Sequence, residues 1–175
     1  MNRTLSILFG SLCMSSSLAW AADPLVFISA FASGDKAAIH AFTFDAEAGA
    51  LKPLHRTADI QNPFFLAVSP DKRFLYAIDA EKFGGEEDEF VAAYTIEGRT
   101  GELKRLNKQS ARGTASCYLD VDATGKSVLV ANYSSGSVAS LPVQKDGSLG
   151  EAASFVQHSG SSTDPERQKG PNAHS

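Results

Sequence analysis

Cysteine is scarce: the 175 residues contain two, Cys13 and Cys117. Cys13 sits in "LSILFGSLCM" (Leu5 to Met14), an apolar stretch too short to span a bilayer, preceded by Arg3 and followed by "AWA" (Ala19 to Ala21). A short positive start, an apolar centre and small residues at a cleavage point are the pattern of a secretory signal, here residues 1–21. Cleavage leaves Cys117 alone, so no internal disulfide is available and the core must hold the fold. Excess charge is also scarce. The net charge of −4 becomes −5 without Arg3, which offers no footprint for nucleic acid or an anionic membrane. Beyond the leader no run approaches the roughly 18 apolar residues of a membrane helix. The expected product is a soluble periplasmic or secreted chain.

Helical signals are missing too. No amphipathic segment of roughly 10–15 residues separates the apolar runs, which excludes a doubly wound α/β fold. G-x-S-x-G, a phosphate-binding loop and zinc-type Cys/His spacings are absent, and those absences exclude only the recognised motifs.

What the chain does have is internal repetition. "VSPDKRFLYAID" (Val68 to Asp79) aligns without a gap on "VDATGKSVLVAN" (Val121 to Asn132), and "PLVFIS" (Pro24 to Ser29) repeats the apolar run. A second run follows each: "IHAFTF" from Ile39, "VAAYTI" from Val91 and "VASLPV" from Val138. Each then reaches a turn with the same restart, at Gly49 to Leu51, Gly101 to Leu103 and Gly147 to Leu149. The runs are short and rich in aromatic and β-branched residues, which predicts strands, while "SPDK" and "DATGK" are turn chemistry. Each copy reads as four antiparallel strands over about 45–50 residues, the size of a propeller blade. The repeats are placed at about 22–61, 62–113 and 114–170, with a fourth starting at 171. A β-sandwich is the competing architecture, but it does not predict matching hairpins. Rings need roughly four to eight blades, so the reading expects an N-terminal fragment with open apolar faces, prone to aggregate and inactive alone. Assembly of several short chains into one ring is the alternative, and oligomeric state stays open.

"NPFFLAVSPDKRFLYAI", "VDATGKSVLVANYSSGSVASLPVQKDGSLGEA" and "VQHSGSSTDPERQKGPNAHS" resemble the lactonase family of seven-bladed propellers, which includes the propeller-type 6-phosphogluconolactonase. The "VANY" run and the segment from Pro165 to Ser175 carry most of the resemblance. It implies a lactone substrate at one mouth of the central channel, with further site residues on later blades. The family's Pro-His-Ala-His-Ser reads here Pro171, Asn172, Ala173, His174, Ser175, so the first histidine is replaced. Where many relatives have Pro-Cys-His, this chain has Ser116, Cys117, Tyr118.

Opening a lactone requires a base to activate water and charge stabilisation for the oxyanion; a neutral histidine can take that proton near pH 7. His174 is the candidate base. Asn172 is placed to orient water or donate to the carbonyl oxygen, and Arg167 to clamp a carboxylate or phosphate. The bland readings are a turn histidine and a surface arginine. Asn132 and Tyr133 are candidate substrate contacts, although a structural role, capping a turn and packing between blades, is favoured for both. His158 reads as exposed, Cys117 as a small buried hydrophobe, and "GGEEDE" (Gly84 to Glu89) as a solvated hairpin tip rather than a calcium loop.

The function read from these residues is an exported lactonase opening an aldonolactone to its hydroxy acid with no metal or redox cofactor. Its partners would be a small lactone and neither nucleic acid nor, after signal cleavage, a membrane. A non-catalytic propeller binding other molecules is the alternative.

Overall fold

A computed structural model describes residues 22–175; the expected signal, residues 1–21, lies outside them. The chain is all-β among the described residues, with eleven strands in three antiparallel sheets. The first sheet contains β1 (Leu25–Ala30), β2 (Ala38–Asp45) and β3 (Ala50–Thr57), in that order. The second contains β4 (Leu66–Val68), β5 (Phe74–Asp79), β6 (Phe90–Ile96) and β7 (Leu103–Ser110). The third contains β8 (Ser116–Val121), β9 (Ser127–Asn132), β10 (Ser137–Pro142) and β11 (Ser154–Gln157). Each is an up-and-down meander, the topology of a propeller blade.

Among the described residues the first sheet has three strands, where four were expected of every copy. In the other sheets the extra strand precedes the main apolar run: β4 comes before β5 and β8 before β9. Its counterpart would precede Leu25, and Ala22 to Pro24 form no strand.

Alternation along β5 explains how the sheets stack. Phe74, Tyr76 and Ile78 point one way, into a core with Leu119, Val128, Val130 and Leu141 of the third sheet. Leu75 and Ala77 point the other way, into a core with Ile39 of the first sheet, joined by Phe27. Every residue of β5 is buried, because a sheet covered on both faces has no solvent side.

The turns repeat in detail. Asp122 accepts backbone N–H groups from Thr124, Lys126 and Ser127, and Gly125 has a φ of 69°. In the preceding copy Ser69 and Asp71 share this task, and Lys72 takes the left-handed position with a φ of 61°. A lysine there is strained relative to glycine, and the surrounding hydrogen bonds hold it.

Candidate functional site

The three connections that follow β1, β5 and β9 emerge from corresponding strand ends, because the meanders share one topology. Tyr133 begins the connection after β9. The segment after β11, residues 158–175, returns to this corner and is fastened in several places. The N–H of His158 donates to Gly136 O at 3.0 Å, and the Gln157 amide donates to Ser135 O at 2.7 Å. Pro171 lies so close to Gly136 that a Cβ there would sit 2.3 Å from the Pro171 carbonyl oxygen. Glycine at 136, with a φ of 62°, is therefore required both by the turn and by this approach. At the far end the Cys117 thiol donates to His174 O at 3.4 Å.

Within the segment, "DPERQ" is a capped turn. Asp164 Oδ1 accepts the N–H groups of Glu166 and Arg167, each at 2.9 Å. The Arg167 N–H, then that of Glu166, hold the carboxyl of Asp164 below the usual carboxylate range. The Arg167 guanidinium has no carboxylate at ion-pair distance among the described residues.

The result is an open cleft of about 640 Å³ walled by Tyr133, Ser159 to Ser162, Asp164, Arg167, Gln168 and Gly170 to Asn172. A phenol, three serine hydroxyls, two side-chain amides, the Arg167 guanidinium and the Asp164 carboxylate line it. Such a wall suits a polyhydroxylated ligand.

The sequence candidates divide in space. Arg167, Asn172 and Tyr133 share the cleft. His174 is exposed and not part of its wall; it meets the ring of Tyr133 edge-on, with centroids 6.0 Å apart. Among the described residues no carboxylate hydrogen-bonds its imidazole. Asn132 is sealed inside. Its amide nitrogen donates to Ala111 O at 2.9 Å and Ser137 Oγ at 3.1 Å, and its oxygen accepts from Ser116 Oγ at 2.7 Å. With no exposed surface, it fixes the start of the Tyr133 turn and leaves nothing to offer a ligand. Tyr133 departs from the favoured packing role: it is 39% exposed on the cleft. His158 is exposed and Cys117 is a buried free thiol.

Sequence reasoning missed Glu89. The tip reading fits Glu86, Glu87 and Asp88, which are exposed, but Glu89 turns inward and is 2% exposed. It needs no cation because three backbone donors meet it: Gly84 at 2.8 Å, Ala115 at 3.0 Å and Ser116 at 2.7 Å. Glu89 thereby fixes the turn in which Ala115 adopts a φ of 51°, and Ser116 then reaches Asn132. Its place as the last acid before an apolar run was the available signal.

Comparison with known proteins follows the same outline. The family described as "Lactonase, 7-bladed beta-propeller" matches residues 25–175. A 6-phosphogluconolactonase of Bacillus subtilis is 37% identical over 149 residues, which cover 85% of this chain and 41% of that protein. A Bacteroides fragilis protein of known structure superposes with a TM-score of 0.77 at 33% identity, over 86% of this chain and 41% of that one. The periplasmic gluconolactonase of Pseudomonas aeruginosa gives a TM-score of 0.68 at 27% identity, over 81% and 41%. The chain thus spans about two fifths of the length of these relatives.

Proposed function

The chain belongs to the lactonase family of seven-bladed β-propellers, and we propose that it forms part of an exported lactonase that opens an aldonolactone to its hydroxy acid. The carrying observation is the convergence of Arg167, Asn172 and Tyr133 on one hydroxyl-lined cleft. In this reading Arg167 holds the anionic or oxygen-rich end of the substrate through its planar fork. The Asn172 amide donates toward the lactone carbonyl as it becomes an oxyanion. Neutral His174 removes a proton from the attacking water, the ring C–O bond of the tetrahedral intermediate breaks, and the departing alkoxide takes up a proton. Tyr133 positions the imidazole by its edge contact. The scheme calls for no metal or redox cofactor.

Two finer points belong to the same proposal. Residues 1–21 carry the signal pattern, so the substrate is an unphosphorylated lactone, phosphorylated sugars being mainly cytosolic. The 175-residue chain is inactive on its own, since it spans only about two fifths of its relatives' length and its base lacks a carboxylate partner among the described residues.

A chimera tests the chemistry: residues 25–175 replace the matching part of the Bacillus subtilis relative, and opening of an aldono-δ-lactone is followed by pH-stat. Loss of the base is expected to lower kcat by at least about 100-fold in His174→Ala, and Arg167→Ala to raise KM. A folded chimera with the same rate as its His174→Ala variant would remove the proposed base. Fusion of the whole chain to a reporter active only in the periplasm tests export, and a silent reporter would restore a phosphorylated substrate. The position of His174 outside the cleft wall favours one second reading, a propeller that binds such acids without turning them over. Ligand binding by a folded, inactive chimera would select it.

A further inference from the structure

Three phenylalanines from three separate segments meet at the seam between the first and second sheets. Phe31 follows β1, Phe64 precedes β4, and Phe83 lies in the connection after β5. Phe64 and Phe83 stack with ring centroids 4.9 Å apart, and Phe31 meets them edge-on at 5.3 and 5.1 Å. These are favourable aromatic geometries, yet the cluster is not core. Phe31 is 53% and Phe64 40% exposed, whereas Ile60, Leu75 and Tyr94 of the same seam are buried. Both sheets that form this seam are in place, and the rings stand above it.

The backbone beneath them is tied down. Asn62 donates its N–H to Ala32 O at 2.8 Å and its side-chain amide to Ala80 O at 2.8 Å. Gln61 Oε1 accepts the N–H of Gly34 at 2.8 Å, and the Gln61 N–H donates to Asp79 Oδ1 at 2.9 Å. Asp79 is 3% exposed, and its other oxygen faces Arg105 at 3.2 Å and Lys108 at 3.6 Å. Residues 61 and 62 therefore join the loops of Phe31 and Phe83 to that of Phe64 before any ligand arrives. An apolar surface held ready in this way binds with little loss of conformational freedom. The Gln61 and Asn62 amides beside it are drawn onto backbone groups, so the rings themselves select what binds.

The platform is joined to the cleft. Gly84, next to Phe83, donates its N–H to Glu89, which also takes the N–H of Ala115. Ala115 O in turn accepts the N–H of Tyr133 at 2.9 Å. The connections after β5 and β9 thus share one rim, with an aromatic platform on the first and a hydroxyl-lined cleft on the second. We infer that Phe31, Phe64 and Phe83 form a second subsite that seats an aryl substituent carried by the substrate. That the carrier is a lactone rests on the function proposed above; the aryl preference rests on the rings alone.

Two ring-opened acids, inert to hydrolysis of a lactone, serve as probes in isothermal titration of the 175-residue chain: D-gluconate, and D-gluconate benzoylated on its terminal hydroxyl. The benzoylated acid should bind at least about tenfold more tightly, from burial of its ring. Phe31→Ala combined with Phe64→Ala should bring the two affinities within about twofold of each other. Phe31→Ala alone, at the most exposed ring, should reduce the preference and serves if the double variant does not fold. Leu129→Ala, at an exposed apolar residue elsewhere, should keep it. Binding of the benzoylated acid with none of gluconate would support the aryl subsite and count against the lactone cleft. Equal affinities, no binding of either acid, a preference that survives loss of the rings, or one lost in Leu129→Ala would overturn the inference.

Discussion

Asn107 on β7 holds both backbone polar groups of Leu149, accepting its N–H at 3.0 Å and donating to its carbonyl at 2.7 Å. The two residues lie 42 positions apart, and their contact crosses the seam between the second and third sheets. Tyr76 adds a hydroxyl bond to the carbonyl of Gly147 at 3.0 Å, and its burial pushes the phenol pKa up to about 12. An apolar seam slides easily; these polar contacts fix its register.

Replacing Asn107 by Ala strands the N–H of a residue that is 2% exposed, while the Gln109 amide still reaches its carbonyl at 3.3 Å. The expected cost is about 1–3 kcal/mol. At fixed protein concentration the urea midpoint should fall with little change in slope. Lys145→Ala, on the exposed turn after β10 of the third sheet, should stay within about 0.5 kcal/mol.

Glu89 and Glu87 are two positions apart and should respond to substitution very differently. Glu89→Ala removes the acceptor for three backbone donors at the Ala115 turn and is expected to cost about 3 kcal/mol. Glu87 is exposed, so its alanine variant should be nearly neutral. Equal unfolding midpoints for the two variants would contradict the inward placement of Glu89.

Cys117 should be a slow nucleophile. Burial, reinforced by the nearby Glu89 carboxylate, raises its thiol pKa, so little thiolate exists at neutral pH. Reaction with a disulfide reagent at pH 7 is expected to lag well behind that of free cysteine and to accelerate in urea. Labelling of the folded chain lacking residues 1–21, and so lacking Cys13, at the free-cysteine rate would refute this.

Acid should weaken the turn between β8 and β9. The Thr124 hydroxyl, then the Ser127 N–H, lower the pKa of Asp122 to about 2, against roughly 3.9 for an unfolded aspartate. Because the folded value is the lower one, this contribution is fully present above about pH 4. It disappears as the pH falls through about 2. The stability difference between the parent chain and Asp122→Ala should therefore be constant at neutral pH and shrink below pH 4, as measured by urea titration at several pH values. A difference that persists at pH 2 would count against the proposed linkage.

Much of the architecture was readable from local pattern. β5 and β9 announce themselves as β-branched and aromatic runs behind turn residues, and the Gly-x-Leu restarts at 49, 101 and 147 mark successive hairpins. That the first sheet has three strands among the described residues was not readable, because nothing in "PLVFIS" itself tells whether an inner neighbour pairs with it. The site was legible only in part. "DPERQ" reads as a polar turn, yet only the folded turn shows Asp164 Oδ1 accepting from the Glu166 and Arg167 N–H groups and the Arg167 guanidinium without a carboxylate partner among the described residues. Asn132 and Tyr133 are adjacent and looked alike as candidates, but they diverge completely in exposure.

By itself the sequence determined the fold class, the repeat and the lactonase resemblance, because strand periodicity, turn chemistry and motif spacing act over a few neighbouring residues. Tertiary structure alone decided that Asn132 is sealed and Tyr133 open, and that Glu89 faces inward. Those outcomes depend on which sheet lies across each face, and contacts between distant segments leave no local trace in the chain.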